Sequence, residues 1–159
     1  MNETLQIRDG SHPAPTKPAR LIVWERDGSW ARHLRRFLTP AGPRVYEVRT
    51  SDTCREMVGE SPTSIVVASW SSSTSDELTN LVTRFRHDHP FARTIAVADR
   101  SVEPLRWQIL ETGIVWLCTS PRELKPVVEI VQRHLEQAPK PSRSPEQRIW
   151  DELPWTERA

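Results

Sequence analysis

The residues with chemistry to offer are few. Glu25 and Asp27 lie just beyond the first apolar run, and Asp99 follows a later one. Brought to one edge of a sheet, these carboxylates would suit a cation or a polar ligand. The plainer reading is loop carboxylates in water, some paired with Arg26 or Arg100. Cys54 and Cys118 are the two thiols. A catalytic thiolate needs a base and electropositive surroundings, which neither stretch supplies, so both read as small buried residues. His87 and His89 bracket Asp88 where a helix should end, a place that suits solvated imidazoles near a negative helix terminus. His33 falls on an arginine-rich helix face and is expected to be exposed. No catalytic set emerges, and neither enzyme activity, a metal nor a cofactor is expected.

The elements that position these groups follow from the apolar pattern. Ser64-Ile65-Val66-Val67-Ala68-Ser69-Trp70 is a short, largely apolar run between Pro62 and a run of serines. Such a run reads as a strand covered on both faces, as in the middle of a parallel sheet. Arg20 to Trp24, Val45 to Val48, Thr94 to Ala98 and Ile114 to Cys118 supply four more strands. Helical spacing is expected for Trp30, Leu34, Phe37 and Leu38, and again for Leu78, Leu81, Val82 and Phe85. It recurs for Leu105, Ile109 and Leu110, and for Val127, Ile130, Val131 and Leu135; a weaker helix holds Cys54, Met57 and Val58. Ser29, Ser51 or Asp52, and Ser101 are the expected caps. The last helix has two starts. Ser120-Pro121-Arg122-Glu123 has the form of a capping box, but Pro126 would then fall inside the helix at a cost of ~3 kcal/mol, so a start at Pro126 is preferred.

Alternation of strand and helix over residues 20–137 predicts an α/β fold. It is a three-layer, doubly wound, five-stranded parallel sheet. Residues 1–19 and 138–159 are expected to be tails: a disordered N-terminal stretch, then a proline-rich linker leading into a tryptophan-containing motif. The 159-residue chain carries 22 Lys and Arg against 21 Asp and Glu. That balance gives no general attraction for nucleic acid, and Arg32, Arg35, Arg36, Arg44 and Arg49 read as a solvated face. No apolar run approaches the ~20 residues of a membrane helix. With two cysteines and no apolar leader at the start, a cytoplasmic location is expected.

The region 20–137 resembles the receiver (CheY-like) domains of two-component response regulators. Leu21-Ile22-Val23-Trp24-Glu25-Arg26-Asp27, followed by Leu34-Arg35-Arg36-Phe37-Leu38, corresponds to the family's first strand and helix. Pro62 to Ser69 corresponds to its third strand. Gly113-Ile114 and Pro121 correspond to its features on either side of the fifth strand. The resemblance implies the flavodoxin-like arrangement of that family, and also where its phosphorylation chemistry would sit. Two acids after the first strand would hold Mg²⁺; an aspartate ending the third strand would take the phosphoryl group. A hydroxyl after the fourth strand and a lysine after the fifth would hold its oxygens. In this sequence these positions carry Glu25 and Arg26, Ala68, Ala98, and Ser120. An alanine is no nucleophile and Arg26 repels a divalent cation. A degenerate, non-phosphorylatable pseudo-receiver is therefore expected, working as a protein-interaction or regulatory module in signalling. Two alternatives remain open. One is a regulator switched by a ligand, or by modification of Ser69 or the serines of 71–75. The other is an enzyme on a flavodoxin-like fold.

Seven tryptophans are the least ordinary feature of the chain. Trp24, Trp30 and Trp107 are expected in or at the edge of the core, and Trp70 in the pocket vacated by the missing acids. Trp116 either faces outward, towards the partner-binding surface that receivers build from helix 4, strand 5 and helix 5, or is buried. The partner would be another protein or a second copy. Trp150, Leu153 and Trp155 are too few for a core of their own. They either fold back on the domain or serve as a linear motif for another protein, the preferred reading, since tryptophans anchor peptides well.

Overall fold

The computed structural model describes residue 15 and residues 17–141. The expected tail motif at Trp150, Leu153 and Trp155 lies outside the described residues, as do residues 1–14. Five parallel strands form one sheet in the order β2-β1-β3-β4-β5. They are β1 (Leu21–Trp24), β2 (Val45–Val48), β3 (Ile65–Ser69), β4 (Arg93–Val97) and β5 (Trp116–Cys118). Between and after them run α1 (Ser29–Phe37), α2 (Ser51–Glu60), α3 (Ser75–Asp88), α4 (Arg106–Glu111) and α5 (Lys125–Gln137).

Register explains the two-sided core. Trp24 stands opposite Ala68, Ala68 opposite Ala96, and Ala96 opposite Leu117. Alternation along each strand then sends Ile22, Trp24, Val66, Ala68, Ala96 and Leu117 to one face. There they pack on Cys54 and Val58 of α2, Leu78, Leu81, Val82 and Phe85 of α3, and Ile109 of α4. Leu21, Val23, Ile65, Val67, Ile95, Val97 and Cys118 go to the other face, against Ala31 and Leu34 of α1 and Val127, Val128 and Val131 of α5. The predicted three-layer, doubly wound sheet is the observed one.

Several helix ends differ from expectation. Asp27, rather than Ser29, supplies the capping oxygen of α1, accepting from the Ser29 N–H and O–H at 3.1 and 3.0 Å. Gly28 makes the turn between them at φ 77°, a left-handed value that favours glycine. Thr50 caps α2 through Thr53 N–H at 3.2 Å. Both signals before α5 are used: Ser120 caps a separate 3₁₀ turn (Pro121–Glu123), and Pro126 lies in the first turn of α5.

The approach to α4 is a 3₁₀ helix, Arg100–Leu105, capped by Asp99 rather than Ser101. Its tighter winding breaks the 3.6-residue phase, so Leu105 is 46% exposed while Ile109 is buried. Trp107, two residues from Ile109, faces the opposite way and is 76% exposed, contrary to its expected core-edge place. Phe37 is also exposed. It shares a flank with Trp30, seven residues back, while Ala31 and Leu34 occupy the centre of the buried stripe.

The candidate site at the carboxyl edge of the sheet

In a doubly wound sheet ligands gather beyond the carboxyl ends of the strands, at the point where strand order reverses. Here that point lies between β1 and β3. Glu25 follows β1 directly and is buried. One carboxylate oxygen accepts the Trp30 N–H at 2.9 Å and the other the Ala31 N–H at 2.8 Å. Those amides belong to the first turn of α1, where intrahelical acceptors are lacking and the helix dipole favours an anion. Both oxygens of Glu25 are thus engaged by the helix. Arg49 closes over it, donating to the Glu25 carbonyl at 3.1 Å.

The remaining positions carry no replacement for its charge. Arg26 is exposed and makes no hydrogen bond or ion pair among the described residues. Asp27 is occupied by Ser29, whose N–H and O–H hold its carboxyl below the usual range. Ala68 is fully buried beside Trp24, its neighbour in register, and Ala98 is 3% exposed. Ser120 is buried, its hydroxyl accepting the Arg122 N–H at 3.3 Å. Asp99 stands apart from Glu25 and Asp27, with its oxygen taken by the Ser101 N–H and O–H. Among the described residues no group of three or more His, Cys, Asp and Glu is placed to hold a metal ion.

Two depressions open at this edge, sharing Ser69 and Ser71. The first, about 310 Å³, is lined by Glu25, Arg26, Asp27, Arg49, Thr50 and Glu77, with Trp24 below. The second, about 520 Å³, lies over the ends of β3, β4 and β5; Trp30, His33, Trp70, Ala98, Arg100 and Ser120 are among its walls. Trp70 packs on the core cluster containing Ala68 and Ala98 and lines the second depression. The serine run is held by Thr74, whose hydroxyl donates to the Ser69 carbonyl at 3.1 Å and accepts the Ser71 N–H at 3.0 Å.

Away from the edge, the basic first third is partly neutralised by its own neighbours. Arg35 and Arg49 both pair with Glu47, and Arg44 lies over the Tyr46 ring at 5.0 Å. Arg35 holds the Glu47 carboxyl below its usual range. His33 is half-buried rather than exposed. His87 is solvated and approaches Asp88 at 4.0 Å. Both thiols are buried, and burial pushes Cys54 up to about 12 and raises Cys118. Elsewhere Trp107 of α4 is 76%, Val115 just before β5 41% and Trp116 in the edge strand β5 37% exposed. Arg106 ties α4 to β5, donating to the Leu117 carbonyl at 3.0 Å while gripping Glu103. Sequence reasoning missed this clamp, the capping role of Glu25, and His134, whose Nε2 lies 2.7 Å from the Thr63 carbonyl. The one available sign for Glu25 was an acid five and six residues ahead of amides that needed acceptors.

No protein-family model and no curated protein matches the sequence. Solved structures do match in fold. A CheY-like protein (tadZ) from Pseudomonas aeruginosa PAO1 is 14% identical over 73% of this chain and 94% of its own, with a TM-score of 0.58. A response regulator from Thermotoga maritima is 14% identical over 74% of this chain and 98% of its own, at 0.59. The receiver domain of a LuxO repressor protein from Vibrio parahaemolyticus is 12% identical over 85% and 96%, at 0.61. The chain shares the fold of these proteins.

Proposed function

We propose that this protein is a receiver-like regulatory module that works by binding another protein and takes no phosphoryl group. The observation that carries the reading is the fate of Glu25. The one acid left at the metal-binding position spends both oxygens on the amides of α1, beside a cation at Arg26 and a buried methyl at Ala68. Mg²⁺ asks for several convergent oxygens, and phosphoryl transfer asks for a nucleophile as well. Covalent signalling chemistry has no footing here, so the fold is left with recognition.

The exposed Trp107, Val115 and Trp116 are the recognition residues this reading uses. Large aromatic side chains supply much of the free energy of protein interfaces. Sedimentation over a range of concentrations and quantitative pull-down test it, comparing wild type, Trp107→Ser/Trp116→Ser, and a chain lacking residues 146–159. The expected result is loss of partner or of self-association in the double variant. Unchanged behaviour in all three would overturn the assignment of both surfaces.

A further inference from the structure

The substitutions that remove the chemistry also make room. Where a receiver would place a hydroxyl and a lysine, this chain has Ala98 and Ser120, and the space above them is the depression of about 520 Å³. Two half-buried tryptophans stand in its walls, and they come from opposite sides of the sheet. Trp30 packs with the α1–α5 cluster and Trp70 with the α2–α3–α4 cluster. The depression therefore straddles the sheet edge with a tryptophan from each layer in its lining. Around it, His33, Arg100 and the Ser69 hydroxyl have no hydrogen bond or ion pair among the described residues. Asp99, the one carboxylate in the lining, is already engaged by Ser101.

We propose that this depression is a binding site for a nucleotide-like ligand, a planar heteroaromatic ring carrying a phosphate. The ring lies against Trp30 and Trp70, since aromatic stacking accepts any planar heterocycle. The phosphate meets Arg100, whose fork of donors suits its oxygens, with His33 and Ser69 beside it. The location over the strand ends next to the point of reversal is where open α/β sheets hold ligands. No covalent step is involved. This reading stands independently of the protein-docking surface, which lies on α4 and β5.

Adenosine 5′-monophosphate is the probe, titrated into the full chain and followed by tryptophan fluorescence and by calorimetry. Adenosine and ribose 5-phosphate serve as controls lacking one half each. Saturable quenching and heat are expected with the monophosphate, and binding at least about fivefold weaker with either control. Trp70→Ala should weaken binding at least about fivefold, and Trp70→Phe, which keeps a ring and the packing, by less. Arg100→Ala, at an exposed position that the fold does not need, should bring the monophosphate down to the level of adenosine. Absence of saturation at millimolar probe would overturn the proposal. So would equal binding by ribose 5-phosphate, or an affinity unaltered in Arg100→Ala or in Trp70→Ala.

Discussion

At the scale of the residue, the same side chain can be a metal ligand or a helix cap, and geometry decides which. Glu25 accepts two charge-assisted hydrogen bonds, each of a kind worth about 1.5–3 kcal/mol. Glu25→Gln keeps the shape but offers one acceptor oxygen where two are used, and faces an N–H donor with another. A loss of about 1–3 kcal/mol in urea unfolding is expected; an unchanged midpoint would show that the caps contribute nothing. Ala68 makes the complementary case. It is fully buried in the cluster that holds Trp24 and the apolar face of α3, so Ala68→Asp would bury an unpaired carboxylate. Several kcal/mol of lost stability is expected, with no phosphorylation gained. A stable variant labelled by acetyl phosphate would contradict this.

The limits of reading residues from sequence show at the same scale. Glu25, Arg26, Ala68, Ala98 and Ser120 could be placed on strand ends because apolar runs and turn residues mark those ends sharply. That Glu25 folds inward could not be read, because the alternative, a carboxylate facing water, has the same neighbours in sequence. His134 was invisible for a related reason: its partner, the Thr63 carbonyl, lies far away along the chain.

At the scale of the element, strands and long helices were legible and short helices were not. β3 and α3 each carry several apolar residues in phase, so one period dominates. The stretch from Arg100 to Glu111 has two windings in succession, a 3₁₀ turn and then six residues of α-helix. A single helical period read through it sent Leu105 inward and Trp107 to the core edge. Both point out instead. The α5–β3 contact carries its own expectation. Burial lowers the affinity of His134 for a proton below that of the free imidazole at 6.5, despite the Thr63 carbonyl. The unfolded chain then binds the proton more readily, so the stabilisation is complete above pH 6.5 and is lost as pH falls through the depressed native value. A glutamine in place of His134 would keep an N–H for Thr63 without titrating. Wild type should therefore lose stability more steeply than His134→Gln between about pH 6.5 and pH 5 in urea unfolding. Parallel profiles would remove His134 as the cause.

At the scale of the whole molecule, the carboxyl edge and the exposed residues of α4 and β5 divide the surface between them. The sheet buries both faces in two continuous clusters, so the chemistry of the protein is confined to its rims. One rim carries Arg26, Ala68, Ala98, Trp30 and Trp70. The other displays apolar rings beside the edge strand. Replacing Trp107, which is 76% exposed, should leave folding within about 0.5 kcal/mol, as surface changes away from the core usually do. Far-UV circular dichroism and urea unfolding of Trp107→Ser check this; a destabilised variant would mean that Trp107 belongs to the fold.

The sheet's carboxyl edge is expected neither to hold Mg²⁺ nor to accept a phosphoryl group. Incubation of the full chain with acetyl phosphate and Mg²⁺, read by intact-mass spectrometry, tests it directly. An unchanged mass is the expected result, with tryptophan fluorescence unmoved by Mg²⁺ alone. A mass gain of one phosphoryl group, mapped to the Ser69–Ser75 segment or anywhere else on that edge, would contradict it.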